Sequence, residues 1–408
     1  MKKFNASFIY LATMFVMGLT ANISTTAYVI YRVDVVGMDA LQLVLAGTAL
    51  EASVFLFEVP TGIVADIVSR RLSTIVGVFI TGLAILVEGL APLVWVVLLS
   101  QALWGLGWTF VSGAFSAWIT DEVGADKVGD YFLRGRQLSL IGHLVAIPIS
   151  VLIASHSLAL TFIIGGLGRI LFGIFLAAKM PETGFTPVPK AERHGWNTMV
   201  TQLKEGVALV RSRRVLMIFS VIALLLGLYS EAWDRLSLAF LLEQFRFPQF
   251  GGVQLTDVVW FGILDASILL IGIAASGLAK RLVDTRISDQ ITRALQAIYI
   301  GMVAAILVFV FAGSFYWAIA ALFIFSALRV VTFPLTEAWL NQHVSSKLRA
   351  TVLSMAGQVD AFGELAAGPI VGSIGRIFSM RTAIVSSALL LSPVAPLFRR
   401  IRRTVQKD

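Results

Sequence analysis

Apolar runs of about 20 residues or more recur from one end of the chain to the other, parted by short clusters of arginine, lysine and acidic residues, and a run of that length matches the roughly 30 Å hydrocarbon core of a bilayer. In hydrocarbon a backbone has no water to bond, so only helices and closed barrels can span it. The runs do not alternate apolar with polar residues as barrel strands must. The composition agrees: 58% of residues are hydrophobic and 14% charged, against about 25% charged in an ordinary soluble domain, and the mean hydropathy is +0.87. The sequence predicts an all-α membrane protein of twelve transmembrane helices in two pseudo-symmetric six-helix bundles.

The predicted spans are 7–31, 39–67, 71–89, 91–122, 131–155, 158–179, 214–243, 256–282, 290–312, 315–343, 346–375 and 379–398. The longest polar stretch, 181–213, divides them into an N-terminal bundle (1–180) and a C-terminal bundle (214–408). It opens with Pro181, Pro187 and Pro189. Trp196, Met199, Val200, Leu203, Val207 and Val210 then recur at helical spacing, which suits a helix lying on the membrane surface or a plain tether. The halves also repeat. Leu50-Glu51-Ala52-Ser53 returns as Leu264-Asp265-Ala266-Ser267; Leu133-Arg134, Leu138-Ser139 and Gly142 return as Leu348-Arg349, Leu353-Ser354 and Gly357; and Ala117-Trp118 returns as Ala338-Trp339. Six crossings separate the copies. An even number keeps both halves in the same sense, so an axis along the membrane normal can relate them with a cavity between.

A net charge of +8 could suggest nucleic acid, but the cations stand at span boundaries and form no single patch with stacking aromatics. They report orientation instead. Arg70, Arg71, Arg211, Arg213, Arg214, Lys280, Arg281, Lys347, Arg349 and the Arg399–Arg403 cluster fall on one side, and Arg32, Arg246, Arg376 and Arg381 on the other. The positive-inside rule then places both termini in the cytosol of a bacterial inner membrane. Lys2 and Lys3 precede a run too long for a signal-peptide core, which reads as a retained first helix. With no cysteine, disulfides and thiolate sites are excluded, and the four scattered histidines lack metal-ligand spacing. No cofactor and no metal are expected. The expected partners are a small-molecule substrate, protons and the lipid bilayer, without nucleic acid, for a monomer.

At the end of the second span the chain reads Gly62-Ile-Val-Ala65-Asp66-Ile-Val-Ser69-Arg70-Arg71. This resembles the loop signature of the major facilitator superfamily, with Ser69 where the family usually has glycine. The resemblance implies a gate formed by Gly62, Asp66, Arg70 and Arg71. In it Gly62 lets two helices approach, the arginines hold the headgroup level, and Asp66 faces the start of the eleventh span at Ser345-Ser346. Lys280 stands where a second Asp66 would fall. Phe57-Glu58-Val59-Pro60-Thr61-Gly62, and Ser230-Glu231 with Asp234-Arg235, are similar to the drug-efflux branch of macrolide and multidrug exporters. The glycine-proline signature of proton antiporters is absent from the fifth span, while Gly363, Gly368-Pro369 and Gly372 stand in the eleventh.

A charge at the centre of a helix in lipid costs about 2.5–3.5 kcal/mol on insertion scales, so each buried acid should face a cavity or a partner. Glu51 and Asp265 are equivalent in the repeat and lead as proton carriers; the rival reading has them pinning neighbouring helices. Glu231 and Arg235 are one turn apart and can neutralise each other, which leaves Asp234 for a substrate cation or a proton. Asp360 and Glu364 form a like-charged pair one turn apart, suited to holding a proton, with Arg329 as counter-ion to one of these acids, or all belong to a buried ion-pair network. Arg134 and Arg136 lie beside Asp121 and Glu122 as a charge network. Arg169 has no evident partner.

In the family, spans one, four, seven and ten line the cavity. Here they offer Asn22, Thr25, Tyr28, Trp104, Trp108, Tyr229, Glu231, Trp233, Arg329 and Phe333 as substrate contacts. Aromatic walls with a few acids suit bulky amphipathic or cationic compounds. The reading is an exporter of such compounds working by alternating access with proton antiport. An importer or facilitator of a polar nutrient and a non-transporting sensor or scaffold are the rivals. No paired catalytic residues or phosphate loop suggests an enzyme.

Overall fold

A computed structural model describes residues 5–187, 208, 210, 211, 214–249, 251–344 and 346–405. The chain is helical, with no strand among the described residues. Twelve long segments follow one another: α1 Ala6–Val35, α2 Ala40–Ile67, α3 Arg70–Leu90, α4 Val94–Val123, α5 Ala125–Ala154, α6 Leu158–Lys179, α7 Arg214–Gln244, α8 Asp257–Leu282, α9 Ser288–Val310, α10 Phe315–His343, α11 Ser346–Ile377 and α12 Met380–Thr404. Eleven are long and apolar enough to cross a membrane. α11 is the exception among the described residues, because Asp360, Glu364 and several glycines dilute its apolar run. The surface helix predicted within 181–213 lies outside the described residues, apart from 208, 210 and 211.

Local signals explain most boundaries. The Asn5 side chain accepts from Ser7 N at 2.9 Å to cap α1, and Ser69 Oγ accepts from Leu72 N at 2.9 Å to cap α3. Asp39 and Gln42 exchange side-chain bonds with each other's backbone N–H, a reciprocal cap on α2. Gly124, at φ +87°, ends α4 in a conformation that a side chain resists. α5 begins directly after it at Ala125, six residues before the predicted start. The polar turn Asp126–Asp130 reads as a loop but is the helix's first turn. Two predicted spans are not continuous. α1 breaks at Thr26–Ala27 and ends in a π-helical turn, Tyr31–Val35, and α12 breaks before Val394.

The chain divides into two compact units. Unit 1 holds 1–38, 46–194 and 256–263; unit 2 holds 39–45, 195–255 and 264–408. In unit 1, α1 packs along α5, while α3 packs on α4 and α6. In unit 2 the same scheme recurs, with α7 along α11 and α9 against α10 and α12. Lipid offers no hydrophobic drive between helices, so close packing over small residues has to hold each pair. Added Cβ atoms show where this operates. At Gly18 and Gly142 they would strike the Ser139 and Phe15 carbonyls across the α1–α5 seam, and at Gly227 and Gly363 the Asp360 and Leu224 carbonyls across the α7–α11 seam.

These seams correct the register of the repeat. α4 and α10 begin at 94 and 315, and α5 and α11 at 125 and 346, so both pairs are offset by 221 residues. Ala117-Trp118 and Ala338-Trp339 carry that offset, and both tryptophans are buried. The match of Gly142 with Gly357 does not. Gly363 does the work of Gly142, while a Cβ at Gly357 meets no described atom within 4 Å.

Unit 1 also contains a fully interior ion pair. Arg32, in the π-turn of α1, donates to Glu88 of α3 at 2.8 Å, and both side chains are under one-tenth exposed. Ser100 Oγ and Gln101 Nε2 donate to the other Glu88 oxygen at 2.8 and 3.1 Å, and Tyr31 donates to the Glu88 carbonyl at 2.9 Å. Nearby, the wholly buried Ser150 of α5 donates to the Ile23 carbonyl at 2.7 Å, just before the α1 break.

The two glycines of α11 separate the registers experimentally. Gly363→Leu should lower stability by about 1–3 kcal/mol or prevent folding, the range for an overpacked core, whereas Gly357→Leu should leave the unfolding midpoint in detergent within about 0.5 kcal/mol of the parent.

Candidate functional site

The densest set of ionisable groups inside the helices lies in unit 2, where α7, α10 and α11 meet. Arg329 of α10 donates from two nitrogens to the two carboxylate oxygens of Asp234 on α7, one bond at 2.7 Å, in a fork-on-fork pair. Both side chains are about one-third exposed (37% and 34%), unlike the sealed Arg32–Glu88 pair. The Arg329 guanidinium also lies 5.9 Å from the rings of Tyr229 and Phe325. On α11, Glu364 accepts from Ser230 Oγ at 3.3 Å, and Asp360 stands one turn earlier. Gly227 makes this possible, since its missing side chain admits the α11 backbone at Asp360. Tyr229 is within electrostatic reach of Arg329, Asp234, Asp360 and Glu364 together. The cluster therefore sets the Asp234–Arg329 fork on α7 and α10 against two further carboxylates one turn apart on α11.

This geometry settles the place of several predicted residues. Asp234 is paired with Arg329, the counter-ion expected for one of these acids. Glu231 is buried and pairs with Arg235 at 3.6 Å one turn on, as expected. Trp233 is 3% exposed and packs between Phe325 and Phe309, with ring centroids at 4.1 and 5.2 Å. Tyr229 is also buried, with its carbonyl accepting from Ser387 Oγ at 2.7 Å. Phe333 is two-thirds exposed. Asp265, in unit 2, and Glu51, in unit 1, are both half-buried within their helices.

In unit 1, Asn22 turns back on its own helix. Its Nδ2 donates to the Gly18 carbonyl at 2.7 Å, and the exposed Thr25 donates to its Oδ1 at 3.3 Å. Tyr28 lies under the Arg32 guanidinium at 4.9 Å. Trp104 and the more exposed Trp108 stack in parallel at 5.9 Å and form a flat aromatic face on α4. Arg169, wholly interior on α6, donates to Thr20 Oγ1 at 3.0 Å and the Met17 carbonyl at 2.8 Å. Two neutral acceptors on α1 thus answer a residue whose partner sequence did not disclose.

The loop signature is rebuilt in its details. Arg70 bonds Asp121 and the Ala117 carbonyl of α4, the latter at 3.0 Å, and Asp66 stands 3.8 Å away, half exposed. Glu182, just past α6, accepts from Ser69 Oγ at 2.7 Å and from Arg71 N at 2.8 Å, while Arg71 also donates to the Ala177 carbonyl at 2.6 Å. Glu122 accepts from the Thr183 hydroxyl at 2.7 Å and from Gly184 N at 3.0 Å. So Asp121 and Glu122 hold Arg70 and the 181–184 segment, where Arg134 and Arg136 were the expected partners. Ser69 is extended at φ −176° and caps α3, a task glycine could not perform, so its departure from the family pattern strains nothing. Gly62 corrects the expectation of close helix approach: no described atom lies within 4 Å of a Cβ there. It borders a cavity of about 240 Å³ with Glu58, Asp66, Thr109, Ser112 and Gly113. Ser345 and the Ser346 side chain, the expected partners of Asp66, lie outside the described residues.

The family model described as Major Facilitator Superfamily matches residues 9–368. A Bacillus subtilis (strain 168) protein described as the uncharacterized MFS-type transporter YxaM is 24% identical over 389 residues, covering 92% of this chain and 91% of its own length. Among solved structures, the nucleoside transporter NupG superposes with a TM-score of 0.75 at 15% identity, covering 98% of this chain and 99% of that one. A bacterial homologue of the human lysosomal transporter Spinster, inward-facing and occupied, gives 0.73 at 15% identity over 99% and 98%.

A double-mutant cycle tests the fork. Arg329→Gln or Asp234→Asn alone should cost about 1–3 kcal/mol, less than a sealed pair because water screens both groups. The double variant should recover part of that loss, giving a coupling of about 1 kcal/mol in detergent unfolding.

Proposed function

The chain belongs to the Major Facilitator Superfamily, and from that premise we propose that it exports amphipathic, preferably cationic, small molecules by alternating access in exchange for protons, as drug-efflux members of the family do. It is a multi-pass membrane transporter. The observation that carries the finer reading is the grouping of acids around the Asp234–Arg329 fork in unit 2. Asp234 and Arg329 neutralise each other, and Asp360 and Glu364 add two further carboxylates in the same polar cluster. The proton in this reading is carried by Asp360 and Glu364, one turn apart on α11. A cation entering the cluster favours losing it. That exchange is the coupling step: substrate binding releases a proton, and a returning proton expels the substrate.

The aromatic faces available to a hydrophobic body are the Trp104–Trp108 stack and the exposed Phe333. Stacked rings suit flat or quaternary cations, because ring faces attract positive charge even where water is scarce. Glu51 and Asp265 are assigned as secondary proton carriers, half-buried at matching places in α2 and α8. In this reading both termini are cytosolic, the Arg70 network lies at the cytosolic surface of a bacterial inner membrane, and the protein works as a monomer. Asp66 holds Arg70 in one state and releases it in another.

One observation favours a second reading. The Asp234–Arg329 fork, one-third exposed, offers an anionic and a cationic site side by side, as a zwitterionic nutrient would need.

Proteoliposomes with an imposed pH gradient separate the two. Uptake of tetraphenylphosphonium should follow the gradient and reverse with it, and Asp360→Asn or Glu364→Gln should lower gradient-driven transport at least about tenfold, with smaller losses for Glu51→Gln and Asp265→Asn. Asp234→Asn should affect affinity more than coupling. Transport indifferent to the gradient would reject antiport, and loss of activity toward a zwitterionic amino acid but not toward the cation in Arg329→Gln would favour the importer.

A further inference from the structure

The last two turns of α12 are built differently from the other helix ends of unit 2. Val394, Ala395, Phe398 and Ile401 recur on one face and are all 5% exposed or less, with Phe398 stacked on Tyr299 of α9 at 5.6 Å. The opposite face carries Arg399, Arg400 and Arg403, all exposed, and these lie one position or one turn apart. Arg402 stands between the faces and reaches Asp289 at the start of α9 at 3.7 Å, an acid that also binds Arg293 at 2.6 Å. So the helix does not fray at its end. Packing on one side and an ion pair at the edge anchor the helix that carries the three guanidiniums, where the apolar segment gives way to a charged one.

The neighbouring chain ends add charge of the same sign. Lys280 and Arg281 end α8 and Arg286 lies in the connection to α9, all exposed. The acids in this region are engaged: Asp289 by Arg293 and Arg402, and Asp284 by the Arg286 backbone N–H at 2.9 Å and by its place in the turn. Cations at a span boundary are explained in general by topology, for which lysine and arginine serve equally. The α12 end uses arginine at all four positions. Guanidinium differs from ammonium in presenting a planar fork that matches two phosphate oxygens at once.

We infer that the Arg399, Arg400 and Arg403 face of α12 is a binding surface for the phosphodiester headgroups of anionic phospholipid. The apolar part of α12 immediately before it is long and apolar enough to cross a membrane, which puts the surface at headgroup depth in this inference. Each basic side chain near a membrane surface strengthens attraction to anionic lipid roughly fivefold, falling off within a Debye length. Three guanidiniums on one anchored helix face therefore add up to a marked preference for anionic lipid. The inference does not depend on what is transported or on the coupling ion.

Native mass spectrometry of protein released from mixed micelles of phosphatidylglycerol and phosphatidylcholine tests it. The parent chain should retain phosphatidylglycerol at least about tenfold over phosphatidylcholine. The triple variant Arg399→Gln, Arg400→Gln, Arg403→Gln should lose most of that preference while its unfolding midpoint in phosphatidylcholine micelles stays unchanged, and Arg400→Gln alone should show an intermediate loss. The triple lysine variant, equal in charge and topology, should fall between the parent and the glutamine triple. Retention unaltered in the glutamine triple, or equal in the lysine triple and the parent, overturns the inference. So does abolition of the parent's preference by tens of millimolar inorganic phosphate, which would mark a site for the free ion.

Discussion

A charge carried into hydrocarbon must find its partner inside the protein, and the arrangement of this chain follows from how that demand is met at two places. In unit 1 the answer is closure. Arg32 and Glu88 are buried, their remaining bonding capacity is taken up by Ser100 and Gln101, and a π-helical turn brings the guanidinium to bear. Such a pair fixes geometry and offers nothing to an incoming ligand. In unit 2 the answer is partial: Asp234 and Arg329 satisfy each other but stay a third exposed, and Asp360 and Glu364 add negative charge close by. Stability is served by the first arrangement. The second leaves its fork partly open to the surroundings, and the proposed exchange of substrate and proton rests on that.

The backbone permits both because glycine brings helices close where charge has to be shared. Gly227 lets α11 approach α7 at the level of Asp360, and Gly18 with Gly142 does the same for α1 and α5 in the other unit. Packing and polar chemistry thus use the same seams. Arg169 shows the limit of this economy: it is held by a hydroxyl and a carbonyl of α1, neutral groups that orient the guanidinium.

The lipid-spanning architecture was legible because apolar run length is a direct physical requirement, and α5 and α12 were misjudged at their ends because a polar helical turn looks like a loop. Asp234 with Arg329 could be anticipated, since an arginine halfway along a span demands an acid. Glu88 was missed although a signal existed: Arg32 stood on the wrong side of the positive-inside pattern, and such an exception calls for a partner. Glu182 was hidden in what reads as the start of a linker. Trp233 and Tyr229 were assigned to a cavity by span number alone. α7 is apolar on nearly every side, so no periodicity tells which face is interior, and Trp233 proved to be packing. The repeat was visible in both α5 and α11, but a six-residue slip gave Gly142 the wrong counterpart, which only the seam with α7 could correct.

The central claim is that a cation and a proton compete for the acidic cluster of unit 2. Proton release on binding measures that directly: tetraphenylphosphonium added to the detergent-solubilised protein in weak buffer, followed with a pH indicator. The account predicts close to one proton released per cation bound near neutral pH, with the release lost in the Asp360→Asn, Glu364→Gln double variant. Binding with no proton released, or release undiminished in that variant, would contradict it.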